Sequence, residues 1–202
     1  MADALKRRLF QQVAGRIVAA ADELTRLDQA IGDGDHGTNM KRGCEAILAD
    51  LDGLAAKPWN EALKGAGMHL VMKVGGASGP LYGTLLMSFG KSLEDDVSDP
   101  ARLAAALGDA VGAVKARGKS DVGQKTLLDV WGPVLACLQA AGADPQAVRR
   151  AAAEAAEATV PMKAVRGRAA FLGERSIGHM DPGARSSQLM IEAVCDVIEG
   201  RA

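Results

Sequence analysis

The sequence predicts an all-α protein, and three observations carry that reading. Leu5, Leu9, Val13 and Ile17 recur every four residues, with Phe10, Val18 and Leu24 widening the stripe into a core-facing surface. Asp99-Pro100 and Asp144-Pro145 each put a capping aspartate before a proline suited to the first helical position. The runs behind them are rich in alanine and poor in β-branched residues. No stretch alternates as a strand.

Taken in order, the pattern predicts seven or eight helices, over roughly 3–26, 40–52, 59–73, 79–93, 100–117, 125–141, 145–159 and 185–199. The last spaces Leu189, Val194 and Ile198 helically and ends on Gly200. Only six residues are aromatic (three Phe, two Trp, one Tyr), so the core must be aliphatic. A chain of 202 residues is expected to form one domain, 1–202, large enough to bury a sound core.

Composition narrows the function. With 48% hydrophobic and 24% charged residues the chain reads as globular rather than disordered. A formal net charge of −1 gives no electrostatic reason for nucleic acid or an anionic membrane as partner. The start, MADALKRRLFQQ, lacks a long apolar stretch, so no signal peptide is expected. The uncharged run 74–90 is too short and too interrupted by glycine and proline to span a bilayer. Cys44, Cys137 and Cys195 have neither CxxC nor zinc spacing, which fits reduced thiols in a cytoplasm.

The unusual residues fall between helices. LDQAIGDGDHGTNM (27–40) sets Asp28, Asp33 and Asp35 on glycine-rich backbone. Gly32, Gly34 and Gly37 match G-x-G-x-x-G, but a long helix precedes them and aspartates fill two variable positions, so a dinucleotide fingerprint is excluded. Gly118-Lys119-Ser120 resembles the end of a Walker A motif, yet Ala113 stands where the partner glycine belongs. A helix C-terminus closed by glycine is the simpler expectation there. An EF-hand is excluded too: the loop has no glutamate at its twelfth position. What remains is a hard-cation site of another kind. Asp33 and Asp35, two apart on an extended turn, can aim at one point, and Asp28 can fold back toward them. Mg²⁺ takes a few carboxylates together with phosphate oxygens, so it would reconcile this acidic loop with a phosphorylated ligand. A solvated acidic turn is the alternative.

Residues 74–80 offer glycines and Ser78 for close approach to a ligand, or simply a tight interhelical turn. The long segment 161–184 carries Lys163, Arg166, Arg168 and Arg175, with Phe171, Leu172 and Ile177 in its middle. An unpatterned segment of that length in a compact domain is expected to be an ordered functional loop. His36 and His179 lie in such loops, whereas His69 falls in a helical run and is expected to be structural.

Together, LDQAIGDGDHGTNM, VGGASGPLYGT, RGKSDVGQKTLLDVW and RGRAAFLGERSIGHMDPGARSS make the chain resemble the nucleotide-binding L subunit of dihydroxyacetone kinase over essentially its whole length. The resemblance implies a barrel of eight antiparallel helices, with ADP or ATP and two Mg²⁺ ions at one mouth. Asp28, Asp33 and Asp35 match the metal-bridging aspartates. His36, Gly37, Thr38, Asn39, Ala77, Ser78, Gly118, Leu127, Arg168, Asp181, Pro182 and Gly183 match the nucleotide contacts. No catalytic residue beyond the metal site is implied. The family's partner is a K subunit that holds dihydroxyacetone covalently on a histidine. In the phosphotransferase-system type, a phosphohistidine-carrying M subunit recharges a bound ADP, and that is the type expected here. An ATP-exchanging subunit of a triose or tetrose kinase, for erythrulose for example, is the alternative. Two other classes also fit an acidic nucleotide loop: a Mg²⁺-dependent phosphatase, and a nucleotide-sensing binding module.

Overall fold

The computed structural model describes residues 2–93, 97–140 and 144–201, and among these it contains helices and no strand. The order is α1 (Ala2–Ala19), α2 (Ala21–Ile31), α3 (His36–Ala49), α4 (Leu51–Ala55), α5 (Trp59–Lys73), α6 (Ser78–Leu93), α7 (Pro100–Gly118), α8 (Leu128–Gln139), α9 (Pro145–Ala158), a 3₁₀ segment (Arg168–Ser176) and α10 (Pro182–Ile198). None of them is long and apolar enough to cross a membrane.

Eight of these helices close a ring. Each of α1, α3, α5, α6, α7, α8, α9 and α10 packs on the next, and α10 returns to α1. Where the link is short, as between α5 and α6 or α6 and α7, neighbours run antiparallel. At the closing seam Arg16, near the end of α1, meets Asp196 at 2.6 Å, while Glu23 on the following α2 meets Arg185, near the start of α10, at 2.6 Å, so the α1–α2 run passes α10 in the opposite direction. The expected eight-helix barrel is therefore present, with α2, α4 and the 3₁₀ segment added to it.

The interior is aliphatic, as the aromatic count requires. Ile17, Leu24, Met40, Leu54, Leu128 and Val114 are fully buried, each contributing about 2 kcal/mol through the apolar surface removed from water. The expected caps are in place: Asp99 accepts from Ala101 N at 2.9 Å and Asp144 from Ala147 N at 2.7 Å.

Several boundaries differ from the pattern, each for a physical reason. The helix expected over 3–26 breaks at Ala20, and α2 runs on to Ile31 because Leu24, Asp28 and Ile31 continue its buried face. The helix expected from 40 starts at His36, where Asp28 caps it. That expected from 125 starts at Leu128, since Lys125 has φ 61°, outside helical space. Its expected end at 141 lies outside the described residues. The helix expected from 185 starts at Pro182, with Asp181 accepting from Ala184 N at 2.7 Å, the same Asp-Pro signal seen twice before. At the end of α7 it is Lys119, at φ 48°, that takes the left-handed position, and Gly118 is the last helical residue.

The α5–α6 seam is the tightest in the ring. A Cβ on Gly83 would fall 2.4 Å from Val71 Cγ2 and 2.8 Å from Gly67 O, and one on Gly67 would fall 2.8 Å from Gly83 O. The two backbones touch, so a methyl at either position must push them apart. On α7, by contrast, the exposed Gly112 has nothing within 4 Å of an added Cβ. Gly83→Ala should therefore cost roughly 1–3 kcal/mol through overpacking, while Gly112→Ala should add roughly 0.5–1 kcal/mol through helix propensity. Urea melts of both variants check this; equal shifts would contradict the seam.

Candidate functional site at one mouth of the ring

One end of the ring gathers the C-termini of α2 and α7, the N-termini of α3, α6, α8 and α10, and the segment 159–181. Cross-contacts establish this. His36 Nδ1 lies 3.0 Å from Ser78 Oγ and its Nε2 3.0 Å from Ser186 Oγ, which joins α3, α6 and α10. A Cβ on Gly183 would lie 3.4 Å from Leu127 N, and one on Gly118 would lie 3.2 Å from Leu81 Cδ2. The glycine-rich motifs are therefore neighbours in space, and four helix N-termini, each with a partial positive charge, meet at this end.

Asp28 organises the acidic loop. Its Oδ2 accepts from Asp35 N at 2.8 Å and His36 N at 3.0 Å, occupying donors that the first turn of α3 would otherwise leave open. Gly32 makes room for this carboxylate, since a Cβ there would fall 2.0 Å from Asp28 Oδ1. With Asp28 buried and Asp33 and Asp35 exposed, one carboxylate oxygen of each can lie within 4.8 Å of the others. Three hard oxygen donors around one point fit a divalent cation such as Mg²⁺. Arg168 Nη2 pairs with one of these carboxylates, Asp33 Oδ2, at 3.0 Å.

The remaining expected residues take different positions. Thr38 and Ala77 are exposed and Ser78 half-buried, all on the helix starts at the mouth. His36 is buried, and burial pulls its pKa down to about 4 against the opposing pull of Asp28. It is neutral at physiological pH and held between two hydroxyls. Asn39 is buried and its Oδ1 accepts from Arg42 Nη2 at 2.7 Å. Gly37 allows α3 onto α2, since a Cβ there would fall 1.9 Å from Ala21 O. Leu127 and Pro182 are buried, Gly118 and Gly183 are half-buried, and Arg168 is exposed. Asp181 is buried and its carboxyl is pushed up to about 7 by burial.

Three further residues build the mouth without having been singled out in the sequence. Tyr82, fully buried on α6, donates its hydroxyl to Gly183 O at 2.8 Å and meets Ser186 Oγ at 2.7 Å and Ser187 Oγ at 2.8 Å. Asp129 accepts from Gly123 N at 2.5 Å and Thr126 N at 2.6 Å, which shapes the turn into α8. Lys125 is 1% exposed, and its ammonium faces the carbonyls of segment 159–179. Thr126-x-x-Asp129 has capping-box spacing, a local signal that could have revealed Asp129.

The chain is similar to known proteins in sequence and in fold. The family described as the DAK2 domain matches residues 30–196. The chain is 43% identical over 171 residues to the PEP-dependent dihydroxyacetone kinase 1, ADP-binding subunit DhaL, of Listeria innocua, covering 85% of this chain and 84% of that one. To the PEP-dependent dihydroxyacetone kinase, ADP-binding subunit DhaL, of Escherichia coli it is 41% identical over 180 residues, covering 85% and 86%. The crystal structure of the dihydroxyacetone kinase of C. freundii superposes with a TM-score of 0.80 at 26% identity, over 97% of this chain and 35% of that one. The structure of that kinase with AMP-PNP and Mg²⁺ gives 0.77 at 27% identity, over 97% and 34%. By sequence and by fold alike, the chain belongs to the DAK2-domain family, among the DhaL subunits of dihydroxyacetone kinase.

Proposed function

We propose that this chain is the nucleotide-binding subunit of a multi-subunit dihydroxyacetone kinase. It would bind ADP or ATP with Mg²⁺ at the mouth of the ring and present a phosphoryl group to dihydroxyacetone held on a separate K subunit. The observation that carries this reading is the convergence of Asp28, Asp33 and Asp35 beside Arg168, ringed by four helix N-termini.

The chemistry follows from that arrangement. Phosphoryl transfer asks a protein mainly for positioning and for stabilisation of charge on the phosphate oxygens. Asp28, Asp33 and Asp35 would hold two Mg²⁺ ions, which when bound offset the charge of the phosphates. Arg168 supplies a fixed fork of N–H donors suited to phosphate. The helix starts at Ser78 and Pro182 add backbone donors and partial positive charge. His36, Gly37, Thr38, Asn39, Ala77, Gly118, Leu127, Asp181 and Gly183 would form the remaining nucleotide surface, His36 by setting the hydroxyls of Ser78 and Ser186. No residue of this chain is assigned as a general base, so the sugar's proton is left to the K subunit. The names of the relatives favour a PEP-dependent system, in which a cytoplasmic phosphohistidine-carrying M subunit recharges a bound ADP.

Protein purified without added nucleotide and then denatured should release stoichiometric ADP, identified by mass spectrometry. Empty protein that binds Mg-ATP would point to ATP exchange instead, and empty protein that binds neither nucleotide would overturn the proposal. Asp33→Asn combined with Asp35→Asn should abolish transfer and weaken Mg-ADP binding while far-UV circular dichroism stays unchanged; retained tight binding would sink the metal assignment. A ligand held at a hundredfold excess over its Kd stabilises the native state by about 2.7 kcal/mol, which for a chain of this size is a shift of roughly 5–10 °C. EDTA should therefore lower the Tm of loaded protein by that amount, and an unchanged melt with metal verifiably removed would count against the site.

A further inference from the structure

We propose that Lys125 is a positioning residue of the nucleotide site: its buried ammonium, enclosed by backbone carbonyls of segment 159–179, preassembles the loop that brings Arg168 to Asp33. This rests on the nucleotide reading given above.

The ammonium donates to Thr159 O at 2.8 Å, Met162 O at 3.0 Å, Ser176 O at 2.8 Å and His179 O at 2.6 Å, with Val160 O at 3.4 Å. An ammonium has only three N–H donors, so with five oxygens around it the interaction is ion coordination as much as discrete hydrogen bonding. The carbonyls come from both ends of the loop, 159–162 and 176–179, so one charge closes its base. Ser176 Oγ closes it further, accepting from Ala164 N at 2.9 Å and donating to Gly173 O at 2.7 Å. Direct links from the neighbouring turn are weaker: Val165 N reaches Gln124 O at 3.5 Å, and Arg166 Nε reaches Gln124 Oε1 at 3.3 Å on the exposed side.

Two features tie this clamp to the site. Ala164, Ala169 and the partly buried Leu172 pack against Ile31, the residue before Gly32-Asp33. Any shift of the loop base therefore moves Arg168 relative to Asp33, with which it pairs at 3.0 Å. In addition, Lys125 is held at φ 61° between Gln124 and Thr126, a left-handed conformation that is disfavoured for a residue bearing a side chain. Strain of that kind persists where the surroundings over-determine it, and it concentrates at functional sites. Burial works against the charge on Lys125, while Asp181 opposes that effect. A solvated lysine on an unstrained turn would make a far simpler loop anchor.

The test uses the full chain, freed of nucleotide, with Mg-ADP as the probe. In wild-type protein the amides of 162–178 should resist hydrogen exchange about as well without Mg-ADP as with it. Free exchange of that segment in the empty protein would overturn preassembly without any variant being made. Lys125→Ala and Lys125→Met should both release those amides. If the segment is then ordered a tenth of the time, the apparent Kd for Mg-ADP rises about tenfold. Propylammonium, the fragment that Lys125→Ala lacks, should restore both protection and affinity in that variant but not in Lys125→Met, and propanol should restore neither. Lys125→Met, which keeps the apolar volume, serves where Lys125→Ala does not fold. Wild-type affinity in Lys125→Met, or weakened affinity with the segment still protected, would overturn the positioning role alone. Wild-type protein that binds no Mg-ADP would overturn the nucleotide reading, whatever the exchange pattern.

Discussion

At the mouth of this ring the turns have to satisfy their own backbone, and at three helix starts and one long loop buried ionisable side chains do it. Where four helix starts and a long loop crowd together, N–H and C=O groups lose water and must find partners inside the protein. Asp28 takes two N–H groups at the start of α3, Asp129 two before α8, and Asp181 one at the start of α10. Lys125 does the complementary work for the carbonyls of the segment that precedes α10. All four side chains are buried. Removing Asp28, Asp129 or Lys125 leaves two or more backbone groups unsatisfied at once, at about 1–3 kcal/mol each.

Charge is distributed accordingly. Burial drives the interior groups toward neutrality: His36 is pulled down to about 4 and Asp181 is pushed up to about 7, the latter reinforced by Asp129 and opposed by Lys125. Tyr82, also pushed up by burial, stays a neutral hydroxyl shared with the start of α10. Asp33, Asp35 and Arg168 are among the charges left facing outward. A buried histidinium beside Asp28 would neutralise part of that acidic point; the neutral imidazole leaves its negative charge intact.

How much of this the sequence revealed depended on the range of each interaction. The convergence of Asp28, Asp33 and Asp35 was legible because all three lie within eight residues. Asp99 and Asp144 were legible because a cap and a proline sit side by side. The start of α10 carried the same Asp-Pro signal but was read three residues late. The start of α8 was misread because a left-handed backbone at a lysine has no local signature. Lys125 and Tyr82 were missed for a deeper reason. Their partners lie 34 to 54 residues away for the lysine and 101 to 105 away for the tyrosine. Only the closed ring brings those segments together, and no periodicity encodes it.

Ring closure also limits what such a site can recognise. The walls are spent on one another, down to backbone contact along the α5–α6 seam, so ligand contacts must come from helix ends and the turns between them. Ends supply N–H groups, small side chains such as Ser78, Ala77 and Thr38, and a few charges at the rim. That is a vocabulary for phosphate and metal, which are recognised by charge and hydrogen-bond geometry. It is a poor one for telling one short ketose from another, which needs an enclosing pocket shaped to each hydroxyl. A chain built this way would suit the phosphoryl side of a transfer, and choice of the acceptor would then fall to a partner surface.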